Sequence, residues 1–299
     1  MSLDVAFVTT RFGSDIFAGS EIAVLRVAQA LPDASATVYS TTLRDFDDQS
    51  PRYPAGEERI GDLAVRRYSP DAIDSALFTR LTEKMQHQPL SAAEEEQWMR
   101  NCFNSTSLLE DLGKSRHDAY FFTPYLRATT YYGARMFPRL SLLLPGLHDE
   151  PPAHFQLFKD WFRGLGGLAF NSAAEQRFAN HIYDLAGVPQ RVLGLPLPER
   201  PSQGREDPAQ ITLPKRPFLL YVGRLEPGKG VLQLLDWVEG TPEVDLVVVG
   251  EGEVALPGTA LHLRGLTESE LDYCYGKALA TCQLSAMESF SLVLFESWQ

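Results

Sequence analysis

Residues 221–230, YVGRLEPGKG, set two cations, Arg224 and Lys229, among three glycines at the end of an apolar run. A strand that ends in glycine and leads into a helix sits at the carboxyl edge of a parallel sheet, where open α/β sheets bind ligands. Gly223, Gly228 and Gly230 let backbone approach a ligand closely. Arg224 and Lys229 can then meet a diphosphate, at about 1.5–3 kcal/mol for each charge-assisted hydrogen bond. A tight turn carrying two solvated cations fits the same ten residues. The Walker pattern G-x-x-x-x-G-K-[ST] is absent.

A second stretch, MESFSLVLFES, places Glu288 just before an apolar helical segment and Glu296 on it, eight positions later. Glu296 is the only charge among Leu292, Val293, Leu294, Phe295 and Trp298, so its carboxylate needs a partner. Ribose or sugar hydroxyls would serve as donors. The backbone N–H groups of Ser289, Phe290 and Ser291 offer positive potential to an anion. The plainer account puts Glu296 on the one solvated stripe of an otherwise buried helix.

Two further candidates lie nearer the N-terminus. The loop TTRFGSDIFAGSE (9–21), with Gly13 and Gly19, is predicted to be mobile and to face a ligand; a plain surface loop fits as well. It carries no G-x-G-x-x-G, which weighs against a dinucleotide dehydrogenase. In LLLPGLHDEPPAHF, His148 follows an apolar strand and so stands at a carboxyl edge, where it could face a substrate. His148 and His154 are six apart, the wrong spacing for H-E-x-x-H, and a metal site is not expected. His154 reads equally well as a structural histidine.

These residues need a frame. Strands are predicted at 4–10 (DVAFVTT), ATVYSTT, LAVRRYS, AYFFTPY, SLLLPGL and GLAFNS, separated by helices. The helix at 20–31 should bury Val24, Leu25, Ala28 and Leu31. Helices are expected at 71–86 and 91–113, the second opened by a Ser91/Glu94 capping box. Ser172 and Glu175 form another, ahead of a helix running to about Leu185. Residues 195–217, with six prolines, read as a linker. Alternation then restarts: strand FLLYVGR, a helix burying Val231, Leu234, Leu235 and Val238, strands VDLVVVG and ALHLRG, a helix capped by Thr267 and Glu270, strand TCQLSA, and the helix SLVLFESWQ. Continuous apolar strands between helices imply parallel sheets covered on both faces. The expected class is α/β with two Rossmann-like parallel-sheet domains, 1–194 and 218–299. The second is short and stops inside a helix, so a C-terminal portion is expected to be missing. No internal repeat or low-complexity tract is evident.

Composition narrows the function. Net charge is -12 and both halves are acidic, so nonspecific nucleic-acid binding is not expected. Cys102, Cys274 and Cys282 form no C-x-x-C, which fits a reducing cytosol and weighs against a disulfide framework or a thiolate zinc site. No apolar stretch reaches the roughly 18 residues of a membrane helix. The N-terminus reads as a first strand, not a signal peptide.

In order, AGSE, GLHDE, FNSAAE, GRLEPGKG, VVVGEGE and ESFSLVLFE resemble the motifs of the retaining glycosyltransferases of family 4, which have the GT-B fold. The resemblance spans nearly the whole chain. It implies an acceptor-side N-terminal domain and a C-terminal domain that binds a nucleotide-sugar, a UDP- or GDP-sugar, with no metal or other cofactor. Arg224 and Lys229 would hold the donor diphosphate. Glu296 would bind the ribose, and Glu288 would contact the donor sugar near its anomeric carbon. Gly19 would let the first loop reach the diphosphate, and His148 would touch the sugar from the first-domain side. Gly223, Ser289, Phe290 and Ser291 would line the donor site. The family carries glycines where this chain has Ser289 and Ser291, which adds bulk beside the sugar, and it continues beyond the last helix. The acceptor stays open among a glycan, a lipid-linked sugar and a small molecule, and peripheral contact with a membrane is compatible with the resemblance. A non-catalytic nucleotide- or sugar-binding module and a nucleotide-sugar epimerase are the rival readings.

Overall fold

The computed structural model describes residues 3–16, 19–46, 50–195, 211–285 and 288–299. The chain forms two compact units, Met1–Pro196 and Leu197–Gln299. Most of the proline-rich stretch, 196–210, lies outside the described residues; 211–217 holds no helix or strand, and its Ile211 and Leu213 pack on the second unit's core.

The first unit runs β1 (Asp4–Val8), α1 (Gly19–Gln29), β2 (Ser35–Thr41), β3 (Gly56–Ile60), β4 (Leu63–Tyr68), α2 (Ser75–Met85), α3 (Ala92–Arg100), α4 (Thr106–Lys114), β5 (Ala119–Phe122), α5 (Ala128–Met136), β6 (Ser141–Leu143), α6 (Gln156–Arg163), β7 (Gly167–Phe170), α7 (Ala173–Ile182) and β8 (Gln190–Val192). Its eight-stranded sheet has the order β3-β4-β2-β1-β5-β6-β7-β8. Every pairing is parallel except β3 with β4. Residues 5–8 of β1, 120–122 of β5 and 168–170 of β7 are buried, as strands covered on both faces must be. Aromatic side chains dominate the core; Tyr125, Phe158 and Phe162 pack with ring centroids 5.1–6.2 Å apart.

Three local expectations change. The helix expected over 91–113 is two, α3 and α4. Phe103, buried with φ 57, turns the chain between them, and Ser105 starts α4 by accepting from Leu108 N. Burial of Phe103 outweighs the 3.6-residue periodicity on either side of it. Leu31 is 36% exposed, because α1 ends at Gln29 and leaves it in the turn beyond. Strand β3, with only Ile60 as a strongly apolar residue, carries no sequence pattern for a strand; its backbone pairing to β4 holds it.

The second unit runs β9 (Phe218–Val222), α8 (Val231–Glu239), β10 (Asp245–Val249), β11 (Leu261–Leu263), α9 (Glu268–Lys277), β12 (Ala280–Cys282) and α10 (Leu292–Ser297). Its four strands are parallel in the order β11-β10-β9-β12. Alternate strand residues point to opposite faces. Leu219, Tyr221, Leu246 and Val248 pack with Val231 and Leu234 of α8. Phe218, Leu220, Val247 and Val249 pack with Cys274 and Tyr275 of α9. The Ser91/Glu94 and Thr267/Glu270 capping boxes both form.

Candidate functional site

In the second sheet the chain steps from β9 to β10 and β11 on one side, then crosses to β12 on the other. The strand order therefore reverses between β9 and β12. A crevice opens at the carboxyl ends of strands at such a point. The loop after β9 carries Arg224 and Lys229, and the loop after β12 carries Glu288. They meet there: Lys229 Nζ lies 2.7 Å from Glu288 Oε1, each side chain a quarter exposed. Gln283 Nε2 donates to the same oxygen at 3.0 Å. Two residues 59 positions apart are thus brought into one charged pair by strand crossover.

Backbone packing holds these loops. Gly230 has φ 74, and a Cβ on it would run into the carbonyl of Leu284, so the two loops touch main chain to main chain. Gly250, at φ 147, does the same for the loop after β10: a Cβ there would strike the carbonyl of Gly223. Leu225 N donates to Glu251 O at 2.7 Å, and Val254 N to Leu225 O at 3.1 Å. The motifs GRLEPGKG and VVVGEGE therefore form one packed edge.

Arg224 has a different carboxylate. Its guanidinium pairs with Glu226 at 2.7 Å and its side chain is 68% exposed. Tyr221 anchors the backbone beneath it by donating to Arg224 O at 2.7 Å. Burial pushes the Tyr221 phenol up to about 12, with Glu226 and Glu288 adding to the shift and Arg224 opposing it, so it stays a donor.

Glu296, on α10, accepts from the Tyr275 hydroxyl at 3.3 Å. The sequence offered ribose or a solvated stripe for this carboxylate; the structure supplies a protein donor from α9. Phe290 stacks on Phe295 with centroids 4.4 Å apart, which fixes the start of α10. Ser291 Oγ is buried without a hydrogen-bond partner among the described residues. Ser289 and Phe290 are half-buried beside it, and Ala286 and Met287, just ahead of Glu288, lie outside the described residues.

The first sheet reverses its order between β1 and β5. Gly19 opens α1 after the β1 loop, with open space around it. Phe17 and Ala18 lie outside the described residues. The described part of that loop is tethered: Asp15 accepts from Tyr53 and pairs with Arg44 at 3.0 Å, and Arg11 pairs with buried Glu21 at 2.6 Å. Thr10 and Thr129 hydroxyls join the two sides of the switch point at 2.9 Å.

His148 follows β6 at the same edge. Its Nε2 is 3.7 Å from Glu150 Oε1, which accepts from the Tyr125 hydroxyl at 2.7 Å. Burial raises the Glu150 carboxyl, while His148, Tyr125 and Arg127 pull it back. His148 Nδ1 is buried with no hydrogen-bond partner among the described residues. His154 pairs with Asp149 at 2.8 Å, the structural role open to it from sequence.

Ser172 caps α7 by accepting from Glu175 N at 3.1 Å, while the Glu175 carboxylate reaches beyond the helix. Its Oε1 accepts from Leu147 N and its Oε2 from Asn171 N, both at 2.7 Å, and the residue is 3% exposed. Burial pushes its carboxyl up to about 7, against the pull of these backbone donors. Sequence reading missed Gln283, Tyr275, Glu150 and this reach of Glu175. Glu150 and Glu175 stood within the motifs GLHDE and FNSAAE; nothing in the sequence pointed to Gln283 or Tyr275. Among the described residues, no group of three or more His, Cys, Asp or Glu could hold a metal ion, and no helix is long and apolar enough to cross a membrane.

Residues 204–299 match the family model of glycosyl transferases group 1. No curated protein sequence matches the chain. Among solved structures, sucrose-phosphate synthase from Thermosynechococcus elongatus aligns with a TM-score of 0.69 at 15% identity, covering 99% of this chain and 78% of its own. The trehalose-phosphate synthase (UDP-forming) of Burkholderia xenovorans, in complex with glucose-6-phosphate, gives 0.68 at 11%, covering 98% and 82%. The E. coli trehalose-6-phosphate structure bound with UDP-2-fluoro glucose gives 0.66 at 11%, covering 98% and 81%. The fold is that of the GT-B glycosyltransferases, as the sequence motifs implied. Identities this low carry the fold alone.

Proposed function

We propose that this chain is a glycosyltransferase that moves a sugar from a nucleotide-diphosphate sugar to an acceptor hydroxyl, with retention at the anomeric carbon and without a metal ion. The observation that carries this reading is the Lys229–Glu288 pair at the β9/β12 switch point. It sets a cation and a carboxylate side by side where a parallel sheet opens to ligand. The family match over 204–299 spans the same loops and supports it.

In this reading Lys229 and Arg224 neutralise the charge that grows on the departing diphosphate, the work a metal ion does elsewhere. Preorganised donors of this kind are worth about 10²–10³ in rate. Glu288 turns from Lys229 toward the donor sugar near its anomeric carbon, and Glu296 receives the ribose hydroxyls beside Tyr275. Gly223 gives the diphosphate room, and Ser289, Phe290 and Ser291 border the sugar; within the first unit, Gly19 and His148 face substrate at the edge of their own sheet. The donor is a UDP- or GDP-sugar. The acceptor hydroxyl belongs to a glycan, a lipid-linked sugar or a small molecule. Three free thiols suit a reducing cytoplasm, with peripheral contact at the inner face of a membrane for a lipid-linked acceptor.

Calorimetric titration with UDP, GDP and ADP tests the donor site. One nucleotide should bind and the others should bind at least tenfold more weakly. Absence of binding by all three overturns the assignment. The anomeric configuration of the product, read by NMR, tests retention.

A further inference from the structure

The motif FNSAAE has no part in the donor chemistry described above, yet its last residue is one of the most buried charges in the first unit. Glu175 sends one carboxylate oxygen to the backbone of β7's exit, at Asn171 N, and the other across to Leu147 N in the loop after β6. His148 is the next residue. Gly146, at φ 64, turns the chain into that loop, and Tyr125 N donates to Pro145 O at 3.0 Å just ahead of it. The His148 ring, 28% exposed, makes no hydrogen bond among the described residues. Nδ1 has no hydrogen-bond partner among the described residues, and Nε2 stands 3.7 Å from Glu150, beyond hydrogen-bond distance. The placement of the imidazole therefore depends on the backbone that carries it, together with the packing around the ring and the Glu150 charge.

We propose that Glu175 is the positioning residue for His148: its carboxylate clamps the β6 and β7 exit loops together and so fixes where the imidazole stands at the sheet edge. The functional meaning of the clamp rests on the reading of His148 as a residue that faces substrate at the edge of its sheet. The clamp itself does not. It also accounts for the pairing of GLHDE with FNSAAE in one sequence, since the second motif supplies the acceptor that the first motif's backbone needs. A short side chain would not span both loops, and an amide would place an N–H₂ against one of two backbone donors.

Amide hydrogen exchange on the full chain at about pH 8, where Glu175 is ionised, tests this, with Glu175→Gln and Glu175→Asp beside the wild type. The second variant keeps the charge but retracts it by one methylene. Both should raise amide exchange of Gly146, Leu147 and His148 at least tenfold while leaving β1, two strands from β6, unchanged. The His148 imidazole resonances should shift while those of His117 and His262 stay in place. Exchange that rises equally in β1 would mean general loosening and overturn the proposal, as would a His148 resonance unmoved in both variants. Neither readout needs nucleotide or turnover. A failed nucleotide titration would thus overturn the donor reading and leave the clamp standing, and the reverse also holds.

Discussion

Lys229→Ala removes an ammonium that lies 2.7 Å from Glu288 Oε1. Two consequences separate cleanly. With both side chains a quarter exposed, the ion pair contributes about 1 kcal/mol or less to stability. Glu288 still accepts from Gln283 Nε2 at 3.0 Å, so no carboxylate is stranded. The thermal midpoint should fall by no more than about 4 °C. A bound diphosphate, by contrast, loses a charge-assisted hydrogen bond of about 1.5–3 kcal/mol. At about 1.4 kcal/mol per decade this is roughly ten- to two-hundred-fold. The wild type must first release Lys229 from Glu288, which offsets up to about 1 kcal/mol and sets the expected loss nearer tenfold. The assay is calorimetric titration of both proteins with the nucleoside diphosphate that the wild type prefers, with thermal unfolding run alongside. Affinity within twofold of wild type, in a variant that remains folded, would refute the placement of the diphosphate at Lys229.

Glu288→Gln should act in the opposite sense on binding: with the carboxylate gone, Lys229 is free for an anion, so diphosphate affinity holds or rises while sugar transfer drops at least tenfold; a parallel loss of both would contradict this. Gly230→Ala should destabilise the second unit, because an L-residue at φ 74 costs about 1–2 kcal/mol and its Cβ meets the Leu284 carbonyl. Gly228→Ala, with nothing near its Cβ and no positive φ, is the control and should unfold as wild type does. Burial raises Glu175 from 4.5 to about 7, so the folded first unit holds a proton that the unfolded chain releases between those values. Its contribution is fully present below the unfolded value and is lost as pH rises through about 7. The urea midpoint should therefore fall between about pH 5 and pH 8, and Glu175→Gln should flatten that fall.

Short-range physics made much of this protein legible in its sequence. The runs FLLY and VDLVVV alternate onto two covered faces, and β9 and β10 form there. Ser91 with Glu94 and Thr267 with Glu270 satisfy each other's backbone groups within a single turn, so those helix starts needed no tertiary information. The core-facing side of α8, with Val231 and Leu234 buried and Leu235 and Val238 partly so, follows from spacing. Where local pattern and packing conflict, packing prevails. Phe103 enters the core at a positive φ and divides a segment whose periodicity was continuous. Leu31 stays outside because its helix stops two residues earlier.

The candidate site divides along the same line. Its cations, carboxylates and glycines were each visible as residue types near the ends of apolar runs. Which carboxylate meets which cation was not. Lys229 and Arg224 are five residues apart, yet one pairs with Glu288 across the sheet and the other with Glu226 two positions along. Glu175 looked like a helix cap, and its second acceptor reaches a loop 28 residues back. Residue chemistry and backbone preference act over a few positions, so a sequence can show them. The partner of a side chain depends on strand order and on which loops share a sheet edge, and only the folded sheet with its crossover from β11 to β12 decides that.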